Sequence, residues 1–393
     1  MFIYTHTLSY YCINTDISLQ LMILKQQADS DYEMFIRVCS MMKIALNNRK
    51  YVAVTFLFTV ILIYYIQNEH PCHPQHCTAL PFTYPLSNIQ EIVNDVIKKG
   101  YTSVKPIYNM SGEYHFIHNI SCSVETKLLI IVKSYVTNFN HRMDIRSTWG
   151  KCHDKKVRVV FVLGYSSNYV EIVKEEHRKY KDIIQGSFID KYKHNIHKTV
   201  MSYNWIVSSC WGSHFVFFVD DDYFVNIPNI IQFLYDHKME LTTNTMFGHK
   251  QCFKKPVRLR NSKYGKWFIS EDEYPLDVLP PFLSGGSILT HISVVRKLQI
   301  AFPFMKQIHL DDVYVSIVAQ KLNITLTNEC RFANELERRT DVKYIMSSHK
   351  YGDRHDLYQA WRKINALSFS EQLTEIFFQP VAKQRHHNYR NIS

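Results

Sequence analysis

Asp220-Asp221-Asp222 closes the apolar run 214–219 (HFVFFV), and Tyr223-Phe224-Val225 resumes the apolar character at once. Three carboxylates pinned between buried segments are electrostatically costly unless a cation neutralises them. In extended backbone Asp220 and Asp222 project to the same side. Hard oxygen ligands of this kind suit Mg²⁺ or Mn²⁺, ions that bridge carboxylates to phosphates. A solvated acidic turn is the plain alternative, and the apolar residues on both sides favour the metal site. A second acidic pair, Asp311-Asp312 in HLDDVYVS, opens a predicted helix. An Asp there is either a cap or a general base or further metal ligand. Ser284-Gly285-Gly286-Ser287 interrupts an apolar stretch; its glycines would admit close approach to a ligand, and an ordinary turn would equally explain them.

These groups need a scaffold. LLIIVK (128–133), VRVVFVLG (157–164) and HFVFFV (214–219) are continuous apolar runs of strand length. Residues 141–149 can form a helix, Val170, Val173, His177 and Tyr180 share one face of another, and 199–210 reads as a third. Ile183-Ile184 with Phe188-Ile189 suggests a further strand. Strands alternating with helices predict a mostly parallel sheet covered on both faces. Ligands of such sheets bind beyond the carboxyl ends of the strands, where the aspartate triplet falls.

The chain has 393 residues, 46% of them hydrophobic, enough for one large domain or two smaller ones plus an anchor. A net charge of +11 fits a solvated basic surface or a polyanionic ligand such as a nucleotide diphosphate. No arginine-rich helix, zinc-finger spacing or RNA-binding aromatic signature is present, which argues against nucleic acid. Residues 51–66 (YVAVTFLFTVILIYYI) carry no charge and follow Arg49-Lys50 and Lys43. No small-residue cleavage site comes after them, so the run is predicted to be a short signal-anchor transmembrane helix with the N-terminal side in the cytoplasm. The resulting division is a tail (1–50), an anchor (51–66), a luminal stem (67–121), a catalytic domain (122–365) and an extension (366–393). Met41-Met42-Lys43 would open a conventional short tail, so deletion of residues 1–40 is expected to leave localisation and activity intact. The sequons at Asn109, Asn119, Asn323 and Asn391 all follow the anchor. Seven cysteines also follow it, and an oxidising lumen favours disulfides among them, including a small loop between Cys72 and Cys77.

Taken in order, IVKS (131–134), RMDIRSTWG (142–150), VFVLG (160–164), DII with F.D.Y (182–192), KT (198–199), FFVDDDYFVN (217–226), KW (266–267), EYP (273–275), PPFLSGGSILT (280–290) and DDVYVS (311–316) resemble glycosyltransferase family 31. This is the family of β1,3-galactosyltransferases and β1,3-N-acetylglucosaminyltransferases, and the resemblance runs from about residue 128 to about 361. It implies an α/β fold of GT-A type with a Rossmann-like sheet, a UDP-sugar donor, a glycan acceptor on protein or lipid, inversion at the anomeric carbon and a Golgi membrane location. It implies that Lys133, Arg142 and Arg146 contact the nucleotide or its diphosphate, and that Lys198, Asp220, Asp221, Gly285 and Gly286 line the donor site. Asp222, Asp220 and His349 would hold Mn²⁺ or Mg²⁺, and Asp312, beside Asp311, would be the catalytic base. Asp311 stands where many members carry Glu, and a carboxylate is kept. A catalytically inactive lectin or chaperone of the same fold is the alternative, and the intact acidic and basic positions argue against it. A metal-dependent hydrolase would need a His-rich ligand cluster that the sequence lacks.

Overall fold

Helix α1 (Ile89–Lys99) turns Ile89, Ile92 and Val93 inward and stops at Gly100, whose φ of 86° is a left-handed cap open to glycine at little cost. After β1 (Phe116–His118) comes β2 (Leu128–Lys133), in which every residue but Lys133 is buried. The chain then alternates: α2 (Phe139–Ser147), β3 (Val157–Tyr165), α3 (Val170–Tyr180), β4 (Ile183–Ile189), α4 (Asn195–Ser209) and β5 (Phe215–Asp220). It continues through β6 (Phe224–Val225), α5 (Ile227–Asp236), β7 (Thr245–Gln251), β8 (Phe282–His291), α6 (Ile292–Ala301) and α7 (Asp311–Lys321). The last elements are β9 (Thr325–Asn328), β10 (Phe332–Ala333), β11 (Ser347–Ser348) and α8 (Arg354–Asn365).

This computed structural model describes residues 88–108, 116–151, 154–237, 244–334, 342 and 344–365, all within the unit Pro74–Ser393. The predicted tail, the anchor, stem residues 67–87 and the 366–393 extension lie outside the described residues, as do Cys72, Cys77, Asn109 and Asn391. Among the described residues no helix is long and apolar enough to cross a membrane.

The main sheet has eight strands in the order β1-β4-β3-β2-β5-β8-β7-β9. Its centre, β4-β3-β2-β5, is parallel, whereas β8 runs antiparallel to both β5 and β7 and β1 antiparallel to β4. The sequence prediction of a mostly parallel sheet therefore holds at the core. Period-two alternation splits β2 between two cores. Leu129 and Ile131 pack with residues of α1, α4, α6 and α7; Leu128, Ile130 and Val132 pack with residues of α2, α3, α5 and α8. With both faces covered, β2 and β5 are apolar up to their last residues. A small second sheet, β10-β11-β6, holds the segment that follows the aspartate triplet. Cys122 and Cys210 form a disulfide with Cα atoms 5.0 Å apart, tying the entry to the domain to the end of α4.

Candidate active site

Strand register places the first pair. Lys133 and Asp220 are Cα partners at the last positions of β2 and β5, so the ends of the two central strands set a cation beside a carboxylate. Lys133 Nζ lies 3.4 Å from Asp220 Oδ1 and 2.9 Å from Asp311 Oδ2, contributed by the first turn of α7. Thr199 of α4 donates to the same Asp311 oxygen at 2.6 Å. Burial alone would lower the Lys133 ammonium, but Asp220 and Asp311 outweigh it and hold it charged. Asp220 is pushed up to about 7, first by its surroundings and then, against Lys133, by Asp222, Asp311 and Asp221. Its side chain keeps 39% exposure. It is a crowded acid at a site mouth and not a sealed one.

Asp312 differs from its neighbour. Its Oδ1 accepts its own helix's Val313 N–H at 2.8 Å, and its Oδ2 accepts only the Gly285 N–H, at 3.3 Å. No side chain among the described residues donates to it. Burial and the adjacent Asp311 raise the Asp312 carboxyl, whereas Lys133 and Thr199 hold Asp311 down against the same burial. The pair is thereby divided into a partnered carboxylate and one that keeps an oxygen available.

The triplet does not behave as extended backbone. β5 ends at Asp220 and a turn follows, so the extended alternation that predicted Asp220 and Asp222 on the same side stops at the first of them. Asp220 meets Lys133. Asp221 turns into the protein, accepting from Ser134 Oγ at 2.6 Å and Asn138 Nδ2 at 3.0 Å, with His141 Nδ1 3.7 Å away. Burial would raise the Asp221 carboxyl, but His141, Ser134 and Asn138 together hold it below the usual range. In this structure it fixes the loop after β2. Asp222 points to His349, whose Nε2 lies 3.0 Å from its Oδ2. The small sheet explains this meeting, because Ser348 of β11 pairs with Phe224 of β6.

Two of the basic residues expected at the nucleotide are committed elsewhere. Arg142 is fully buried and all five of its N–H groups are used: on both oxygens of Glu176, on Ser134 Oγ and on the carbonyls of Tyr135 and Val136. Arg146 forks onto Asp182, reaches Glu176 and lies over the Phe161 and Tyr180 rings. In this structure Arg142 spends every N–H inside the protein, and Arg146 spends most of its own on Asp182 and Glu176. Arg142 acts through the 134–136 loop, and that loop in turn holds Asp221. Lys198 is likewise buried, 2.7 Å from Asp190 Oδ1 and donating to the Ser134 carbonyl at 2.9 Å. The sequence signal for these partners was weak, since Glu176 sits among the charged residues of a surface helix. Glu176→Gln leaves the guanidinium of Arg142 without its counter-charge in a dry site, and should cost about 3–5 kcal/mol. Thermal unfolding of the variant checks this; an unchanged midpoint would show the pair to be dispensable.

Gly285 and Gly286 lie inside β8 and not in a turn. A Cβ on Gly285 would come within 3.0 Å of Asp312 Cβ, and one on Gly286 would overlap the Tyr223 hydroxyl. These close approaches bring two strands and a helix together, so the glycines serve packing around the acids. Tyr223 is buried, donates to Asn334 Oδ1 at 3.1 Å and stacks on the His349 ring with centroids 4.9 Å apart. Tyr223, Thr199 and Ser134 are site residues that the sequence reading missed, although each lies in a motif it quoted.

Among the described residues no three His, Cys, Asp or Glu side chains gather as a ready metal cluster. Asp222 with His349 supplies one carboxylate and one imidazole, both about one-third exposed. That donor set fits a divalent ion that draws its remaining ligands from a bound diphosphate and water.

A strand-end acidic site on a mostly parallel α/β sheet lies where ligands of such sheets bind. The family model described as galactosyltransferase matches residues 140–330. A Drosophila melanogaster β1,3-galactosyltransferase, brn, is 30% identical over 65% of this chain and 79% of its own length. The Danio rerio lactosylceramide 1,3-N-acetyl-β-D-glucosaminyltransferase B is 28% identical over 79% of this chain and 83% of its own. Among solved structures, S. aureus TarS (residues 1–349) covers 64% of this chain and 69% of that chain at 14% identity and a TM-score of 0.34, a likeness too remote to carry an argument. The chain belongs to the β1,3-galactosyltransferase and β1,3-N-acetylglucosaminyltransferase family and is a hexosyltransferase.

Proposed function

We propose that the protein is an inverting, metal-dependent glycosyltransferase that moves a hexose or N-acetylhexosamine from a UDP-sugar to a glycan hydroxyl, forming a β1,3 linkage. The observation that carries this reading is the division of labour at the start of α7. Asp311 is held by Lys133 and Thr199, and Asp312 keeps a carboxylate oxygen without a side-chain donor. An acceptor hydroxyl is a poor nucleophile, and a carboxylate within hydrogen-bond reach takes its proton as attack begins. Asp312 has the freedom to do so. Lys133 holds Asp311 and Asp220 in place and adds positive charge where the departing UDP develops negative charge. Asp222 and His349 would hold Mn²⁺, which when bound supplies further charge stabilisation for the leaving diphosphate. Displacement from the face opposite UDP inverts the anomeric centre with no covalent enzyme intermediate.

The test is release of UDP from a panel of UDP-sugars, with and without simple oligosaccharide acceptors. The reading expects release that depends on both acceptor and Mn²⁺. Equal release without acceptor would indicate a hydrolase, and none under any condition would favour the inactive-lectin alternative. The names of the relatives direct the first trials to UDP-galactose and UDP-N-acetylglucosamine.

A single-pass type II Golgi location completes the proposal. The charge-free run 51–66 and the one-sided sequons support it, and the Cys122–Cys210 disulfide suits an oxidising lumen. Asn323 is exposed in a turn at φ 56°, accessible to an oligosaccharide. Glycosidase treatment of the expressed protein should increase its gel mobility, and Asn323→Gln should remove part of that shift. An unshifted band would argue against a luminal domain.

A further inference from the structure

Beside the acidic site lies a surface that the reaction as drawn does not use. Tyr192 follows β4 at the same strand-end edge and stands seven residues before Thr199, the partner of Asp311. Its ring is 45% exposed. Lys266 links it to a second aromatic segment, with its ammonium 6.0 Å from the Tyr192 centroid and 4.5 Å from that of Trp267. Trp267 in turn stacks on Tyr264 at 5.8 Å, and both rings are exposed. Burial of the Tyr192 hydroxyl raises it first, and the charges of Asp312 and Asp311 raise it further, so this ring shares the base's surroundings.

The segment that carries the second pair of rings is basic. Residues 252–267 contain six basic residues and no acidic one. Arg258 is consumed by the carbonyls of Ile269, Tyr274 and Leu276. Arg260, Lys263 and Lys266 are exposed and lie over Phe268, Tyr264 and Trp267, respectively. Lys191 and Lys193 flank Tyr192, also exposed. Among the described residues none of these five cations forms an ion pair. Asp311 is engaged on Lys133 and Glu273 on His309 at 2.7 Å, and Glu271 and Asp272, four and five residues beyond Trp267, are exposed.

Exposed aromatic rings give flat apolar faces against which the C–H face of a sugar can lie, and the surrounding unpaired cations attract negative charge. We propose that Tyr192, Trp267 and Lys266 form the acceptor subsite, and that the acceptor is a glycan carrying a carboxylate, sulfate or phosphate close to the sugar that stacks on these rings. The inference rests on the transferase reading for the direction of the sugar's hydroxyl towards Asp312. It goes beyond that reading in assigning the acceptor a charge.

Acceptor binding to the full chain, followed by quenching of tryptophan fluorescence, separates this inference from the reaction itself. The probes are one neutral oligosaccharide and the same oligosaccharide bearing a single carboxylate, sulfate or phosphate, with transfer measured in parallel. The acidic probes should bind roughly three- to tenfold more tightly at low ionic strength, the scale of one or two exposed ion pairs. That advantage should shrink at about 0.5 M salt and be mostly lost in Lys266→Glu. Trp267→Ala, followed by the transfer KM, should weaken neutral and acidic probes alike by roughly three- to tenfold. Equal binding of neutral and acidic probes, or a preference untouched by Lys266→Glu, overturns the inference while leaving the transferase reading intact. A Lys266-dependent binding preference without any transfer would support the subsite and count against the transferase reading. Lys266-dependent binding to phosphatidylserine vesicles without a preference among glycans would assign the cations to a membrane surface and also overturn it.

Discussion

Asp222→Ala should lower transfer by roughly 10²–10³-fold, the loss typical of removing one pre-positioned group that stabilises a leaving charge. The residue sits in the turn after β5, its side chain is 38% exposed, and its one side-chain contact among the described residues is His349. Truncation therefore removes a ligand without opening a core cavity, and thermal stability should change little. Asp222→Ala should also weaken Mn²⁺ binding measured calorimetrically in the presence of UDP. His349→Ala should act in the same direction on metal affinity, because its Nε2 is the other donor of the pair. EDTA should reproduce both effects in the unaltered protein, and Mn²⁺ should restore activity only there. Asp222 engages His349, whose imidazolium is favoured first by that hydrogen bond; metal binding must displace this proton, so Mn²⁺ affinity should fall as pH drops. Full transfer in EDTA would remove the metal from the mechanism.

Much of this site was legible because its elements are dictated by burial. β2 and β5 are apolar up to their last residues and β3 is broken only by Arg158, so the strands themselves and the position of the triplet at a strand end follow from the residue pattern. The helix opened by Asp311 and Asp312 was legible for a related reason, since acids gather at helix starts. What the sequence did not convey was how the polar groups divide among partners. Asp220, Asp221 and Asp222 are chemically identical, yet a turn of backbone sends them to Lys133, to Ser134 with Asn138, and to His349. Alternation held only as far as Asp220, where the strand stops. Arg142 and Arg146 carry a similar ambiguity. A cation near a phosphate site and a cation neutralising a buried Glu176 look the same in sequence, because the deciding partner lies 30 or more residues away on α3. The meeting of His349 with Asp222 depends on the β6–β11 pairing of two two-residue strands, too short for any periodicity to announce.

The most discriminating result concerns Asp312. Asp312→Asn keeps size and shape, and its one amide oxygen can still accept the Val313 N–H at the cost of the longer Gly285 contact, but it cannot take a proton. Loss of a positioned general base typically lowers the rate by about 10²–10⁴-fold. The loss should fall on kcat, with UDP binding little altered, because the proton moves only once the acceptor attacks. Asp311→Asn follows a different course. Asp311 is the partner of Lys133 and Thr199, so its neutral replacement leaves a buried ammonium short of one counter-charge. That variant should lose thermal stability, and its kcat should fall less than that of Asp312→Asn. The pH profile supplies a second check with a definite sign. A base works only when ionised, and burial beside Asp311 raises the Asp312 carboxyl, so turnover should climb with pH on a limb above the ordinary carboxylate range. Asp312→Asn should flatten that limb in whatever activity remains. If instead Asp312→Asn turned over at a near-normal rate while Asp311→Asn lost its rate and kept its stability, the two carboxylates would exchange roles, and proton transfer would belong to the residue that Lys133 holds.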